Sequence, residues 1–184
     1  MVGQKLAWSR VFAETLPKWA FRRKSDNLSY WLLGLTIVPV FFGTAASHSA
    51  HVTDGRMIAI STLNYACCAQ AVRLAFHSGF QTRFFGLPGR SMELHPLICI
   101  GRYLSPLLPF GLVVVSLRTS FEFPHLSARY LIYSCLVSTL LDFSARGMGL
   151  IPPWLLKVSV IHGVCLFGCL AALGSSENVI VDIK

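Results

Sequence analysis

The chain has 184 residues, a formal net charge of +8 and a mean hydropathy of +0.59, with only 13% of its residues charged. Soluble domains carry about 25% charged residues, so an ordinary water-soluble domain is a poor fit. The basic residues lie at the ends of apolar runs and in the N-terminal tail, which speaks for a positively charged membrane face and against a nucleic-acid interface.

Taken in chain order, residues 1–29 come first as an amphipathic basic segment. Trp8, Phe12 and Trp19 recur at helical spacing with Leu16 beside them, while Lys5, Arg10, Lys18, Arg22, Arg23 and Lys24 supply charge. There is no uninterrupted apolar stretch here, so a secretory signal is not expected. The segment is similar in composition to a mitochondrial presequence. The expectation is a retained helix lying in the membrane interface that also carries targeting information.

Five apolar runs follow, at residues 30–46, 57–76, 96–117, 130–143 (weakly to 150) and 154–173, all within a domain at 30–174. A helix of about 20 apolar residues crosses a hydrocarbon core about 30 Å thick. The expected fold class is therefore all-α: a polytopic membrane protein with a bundle of five transmembrane helices and an N-terminal amphipathic interfacial helix. Asp26 and Asn27 are expected to cap the first span, and Tyr30 and Trp31 to mark its interface. A short polar loop is expected over residues 47–55. The second span is the most polar, with Ser61, Thr62, Asn64, Tyr65, Gln70 and Arg73, so it belongs at the centre of the bundle. Pro106 and Pro109 are expected to bend the third span. Small residues at four-residue spacing in the fifth, Ser159/Gly163 and Gly168/Ala172, permit close helix contact. Residues 175–184 form a short acidic tail. Lys and Arg concentrate on the side of the N-terminus, which places that end inside (matrix or cytoplasm) and the C-terminus outside.

Ionisable residues within spans are functional candidates by default. Four occur here, Arg73, Arg102, Asp142 and Lys157, and all fall in the inner third of the bilayer. Three readings stay open. Asp142 could pair with Arg102 or Arg73 and lock helices together. The surplus cations Arg73, Arg102 and Lys157 could hold an anionic phospholipid such as cardiolipin. A proton or ion path could run through Asp142 and Arg102 toward His162. His48, His51 and Asp54 are too few for a metal centre, and His77 and His162 differ in depth, which argues against haem. The six cysteines lie within apolar runs and form no Cys-x-x-Cys pair, so they are expected to be packing residues. No cofactor and no catalytic residue is expected, because no nucleophile motif, phosphate loop or paired carboxylate appears.

Several short motifs occur in a familiar order: Gly34-Leu35 then Pro39; Tyr65 to Gly79; Arg102-Tyr103-Leu104-Ser105-Pro106-Leu107-Leu108-Pro109; Asp142; and Pro153-Trp154. Over about residues 31–173 this order resembles the transmembrane protein sixty-nine family, small multi-span proteins of bacteria and mitochondria. Two features depart from it. Leu74-Ala75 and Ser78 stand where the family has a glycine pair and a tryptophan, and Lys157 is shifted relative to the basic residue after Pro-Trp. The resemblance implies a mitochondrial inner-membrane location and no particular activity. The resulting expectation is a non-catalytic accessory subunit of an energy-transducing complex, ATP synthase or a respiratory-chain complex, with other membrane subunits and phospholipid as partners and no nucleic acid. The alternatives are a small proton-coupled transporter or channel, and a lipid-modifying enzyme.

Overall fold

A computed structural model describes residues 24–85, 104–147, 151 and 153–176. Among the described residues the chain forms five α-helices and no strands: α1 (Lys24–Ser49), α2 (Val52–Phe85), α3 (Leu107–Thr119), α4 (Pro124–Gly147) and α5 (Pro153–Gly174). Of these, α5 is long and apolar enough to cross a membrane by length and composition, and Leu33–Ser49 and Leu107–Thr119 are shorter apolar helical stretches. The expected interfacial helix, the acidic tail beyond Ser176 and most of the connection between α2 and α3 lie outside the described residues.

Several boundaries differ from expectation, each for a local reason. Asp26 and Asn27 sit within the first turn of α1, because the helix already begins at Lys24. The polar loop over 47–55 shrinks to Ala50 and His51. Its polar side chains turn back onto the end of α1: Ser47 Oγ and His48 Nδ1 donate to the Thr44 carbonyl at 2.9 Å, and Ser49 Oγ donates to that of Ala46 at 3.1 Å. They add a second donor to carbonyls in the last turns of the helix; that of Ala46 also accepts from the Ala50 amide at 3.1 Å. Asp54 then lies in the first turn of α2, where a carboxylate favours the positive end of the helix dipole. Helix α2 has 34 residues, about 50 Å at 1.5 Å per residue, and so extends well beyond the expected span at both ends.

The prolines act in two ways. Pro106 precedes α3 and Pro109 falls in its first turn, where a missing N–H costs nothing, so these residues start the helix. Pro39 lies inside α1 and has no N–H to give the carbonyl four residues back, that of Leu35. The Tyr65 hydroxyl of α2 donates to that same carbonyl. One side chain thus satisfies the acceptor that the proline releases and ties α1 to α2. Tyr65→Phe is expected to lower stability by about 1 kcal/mol, measured by thermal unfolding of the purified chain.

The helices run alternately up and down. The pairings Tyr65–Leu35, Ser116–Cys67 and Ser159–Asp142 set α1 against α2, α2 against α3 and α4 against α5. Helix α2 packs on all four others, as its polar composition leads one to expect, and α5 lies between α1 and α4. The apolar core includes Val40, Leu63, Leu131, Leu166 and Leu170, all 0% exposed. Between α3 and α4 the contact is a reciprocal clasp. Ser116 Oγ donates to the Ser127 carbonyl and Ser127 Oγ to the Ser116 carbonyl, both at 2.8 Å.

Small residues allow the closest approaches. A Cβ on Gly43 would lie 2.1 Å from Thr62 Oγ1, and one on Gly163 would lie 2.9 Å from Thr139 Oγ1. Of the two small-residue pairs on α5, Ser159/Gly163 therefore meets α4, whereas Gly168 and Ala172 are exposed and Gly168 has nothing within 4 Å of its Cβ position.

Candidate functional site

Two helix faces carry the polar interior. On α2, Gln70, Arg73 and His77 recur at three- and four-residue spacing; on α4, Ser134, Ser138 and Asp142 recur at four. Each set forms one stripe along its helix, and side-by-side packing brings the two into register. Gln70 Nε2 donates to Ser138 Oγ at 3.1 Å and Ser134 Oγ at 3.3 Å. One turn further, Arg73 Nη2 meets Asp142 Oδ2 at 3.0 Å, and His77 Nδ1 meets Asp142 Oδ1 at 2.9 Å. Ser159 of α5 joins from the third side, donating to Asp142 Oδ2 while accepting from Arg73 Nη2. Arg73 Nη1 donates to Gln70 Oε1 at 3.3 Å.

All these groups are withdrawn from the surface: Asp142 is 3% exposed, His77 6% and Arg73 8%. Isolated, an ion at such depth costs several kcal/mol in desolvation. Here both carboxylate oxygens have hydrogen-bond donors, and the terminal guanidinium nitrogens have acceptors on all three helices. The cluster joins α2, α4 and α5 at one level.

The residues singled out from the sequence fall in different places. Asp142 takes Arg73, His77 and Ser159 as partners; Arg102, expected beside it, lies outside the described residues. Arg73, also considered for a lipid head group, turns its guanidinium tip into the bundle. Lys157 is exposed on α5, and no ion pair or hydrogen bond joins it to the cluster among the described residues. His77 was not expected as a partner of Asp142. Its position four residues after Arg73, on the same helix face, is the signal that could have found it. Among the described residues no group of three or more His, Cys, Asp or Glu could hold a metal ion.

Beside the cluster, a cavity of about 110 Å³ opens between α1, α2 and α5. Its apolar lining comes from Leu33 of α1, Val72 and Phe76 of α2, and Trp154, Leu155 and Val158 of α5. Its polar lining is Thr36, Arg73, His77, Ser159 and His162. His162 is 3% exposed and its Nδ1 lies 3.2 Å from Thr36 Oγ1. Among the described residues, two buried polar atoms on this lining have no hydrogen-bond partner, Arg73 Nε and His162 Nε2. Such orphans cost about 1–3 kcal/mol each, and few are found in native interiors. Compared with family models, with curated proteins and with solved structures, the chain matches none.

Proposed function

We propose that this chain is a non-catalytic membrane subunit whose five helices cross a lipid bilayer and dock laterally on neighbouring membrane proteins. One observation carries the proposal, the inverted placement of polarity. Large apolar side chains are exposed on all five helices, among them Phe42 at 66%, Val72 at 61%, Leu107 at 61%, Leu140 at 68% and Val164 at 66%. Inside the bundle lie Gln70, Arg73, His77, Ser134, Ser138, Asp142 and Ser159. In water this arrangement would leave apolar surface on every side and promote aggregation. In hydrocarbon it is the favourable one, since polar groups must find partners within the protein and small residues let helices approach.

The cluster favours a structural role over a transport one. Its charges are spent on each other and on neutral side chains of three helices, and no further buried acid among the described residues continues a relay. The basic N-terminal segment and the resemblance noted above support placement in the mitochondrial inner membrane, with the N-terminus in the matrix. An energy-transducing complex, ATP synthase or a respiratory-chain complex, is the proposed host. The exposed Lys157, together with Arg102, remains the proposed contact for cardiolipin.

Two measurements test this. Alkaline carbonate extraction of mitochondrial membranes should leave the chain in the pellet, and impermeant thiol labelling of single cysteines added at the two ends should mark opposite faces. On a native gel in mild detergent, the chain should migrate with a large complex. Release by carbonate would reject the five-span topology. Migration as a free monomer, with the topology intact, would reject the subunit role alone.

A further inference from the structure

We propose that the cavity between α1, α2 and α5 seats the hydroxyl head of a single-chain amphiphile, with its hydrocarbon tail lying along the exposed face of α2. The proposal rests on the membrane placement given above. It goes further in assigning a ligand class to a site that the structural role does not use.

The chemistry of the two orphan atoms selects the head group. Arg73 Nε always carries a hydrogen and can only donate. For His162, the neighbouring hydroxyl decides the tautomer. Thr36 Oγ1 donates its one proton to the Leu33 carbonyl at 3.0 Å, so at 3.2 Å it accepts from His162 Nδ1. With the hydrogen on Nδ1, the neutral ring presents the lone pair of Nε2 as an acceptor. The lining thus offers one donor and one acceptor, both in side chains more than nine-tenths buried. A hydroxyl accepts from the first and donates to the second. A carboxylate or phosphate would satisfy Arg73 Nε but would set its charge against the His162 lone pair. An ester or ketone has nothing to donate. A metal cation would face the fixed charge of Arg73.

Size and access fit the same class. About 110 Å³ equals the liquid volume of three or four waters at about 30 Å³ each. That admits a small head and the first carbons of a chain, and no whole lipid. Val72 and Phe76 line the cavity yet are 61% and 40% exposed, so it reaches the bundle surface along α2. A tail leaving there continues over apolar side chains.

The test uses the full chain in phosphatidylcholine nanodiscs and a 1-dodecanol analogue carrying a diazirine. Photolabelled peptides are identified by mass spectrometry, with dodecanol, dodecane or dodecanoate as competitor. Saturable labelling is expected at Leu33 and around Val158, competed at least about tenfold better by dodecanol than by dodecane or dodecanoate. His162→Leu should weaken the competition about tenfold, the loss of one hydrogen-bonding group. Val158→Trp, which fills the cavity and leaves the residues of the Arg73–Asp142 pair in place, should abolish labelling while the elution profile of the protein stays unchanged. Equal competition by dodecane overturns the polar selection, and stronger competition by dodecanoate overturns the hydroxyl assignment. Labelling spread evenly over outward residues such as Leu136 and Leu140, with nothing saturable at the cavity, leaves water as its occupant and rejects the site. These outcomes are separate from carbonate extraction, which tests the membrane placement by itself.

Discussion

Asp142→Ala is expected to destabilise the bundle by about 3–5 kcal/mol, the largest effect of any single substitution proposed for this chain. The loss comes less from the missing attraction than from what stays behind. Arg73 and Asp142 are both nearly enclosed, with side-chain exposures of 7% and 5%. Without the carboxylate, the guanidinium keeps its charge in a setting that cannot solvate it, and His77 and Ser159 lose their acceptor. Removing both charges should therefore be milder than removing one. The double variant Arg73→Met, Asp142→Leu is expected to regain most of the lost stability, because apolar groups of similar volume often replace a buried pair at little cost. Thermal unfolding of the wild type, Arg73→Met, Asp142→Leu and the double variant forms a complete cycle. Additive losses would show that the three-helix cluster does not act as a unit.

The second large effect is expected at Gly43. Its Cβ position lies 2.1 Å from Thr62 Oγ1 and 3.0 Å from Thr62 Cγ2. Thr62 cannot simply swing aside, since it is branched at Cβ, is buried to 6% exposure and holds the Ile58 carbonyl at 2.7 Å. Gly43→Ala should force α1 and α2 apart and cost about 1–3 kcal/mol, as overpacking does elsewhere. Gly34 supplies the control on the same helix. Nothing lies within 4 Å of its Cβ position, so Gly34→Ala should be neutral or slightly stabilising through helix propensity. Thr62→Ala in the Gly43→Ala background removes the two closest groups and should restore part of the loss. Equal unfolding temperatures for the alanine variants at 34 and 43 would show that the helices give way freely.

Much of the architecture is legible in the residues. Four of the five apolar runs fall within described helices and the third does so in part, its residues 96–103 lying outside the described residues; the concentration of polar groups in residues 57–76 foretells a helix touched by all the others. Asp142 and Arg73 stand out because charge within an apolar run needs a partner. What the pattern hides is who that partner is. Hydropathy treats Arg73 and Arg102 alike, and only the packing of α2 beside α4 gives Asp142 to Arg73 and His77. The helix boundaries differ from the hydropathy pattern for a related cause. Ser47, His48 and Ser49 look like a loop by composition, yet hydroxyl and imidazole groups can bond to helical carbonyls a turn away, so the same residues extend α1. The link from Tyr65 to the Leu35 carbonyl released by Pro39 depends on two residues 30 positions apart in sequence meeting at one level, which no local pattern encodes.

The reciprocal serine clasp between α3 and α4 makes those two helices a hairpin with its own polar fastening. Ser116 and Ser127 are 11 positions apart and exchange main-chain acceptors within that hairpin. Ser116 Oγ also lies 3.3 Å from Cys67 Sγ of α2, so the fastening of the hairpin is also the point where it meets the central helix.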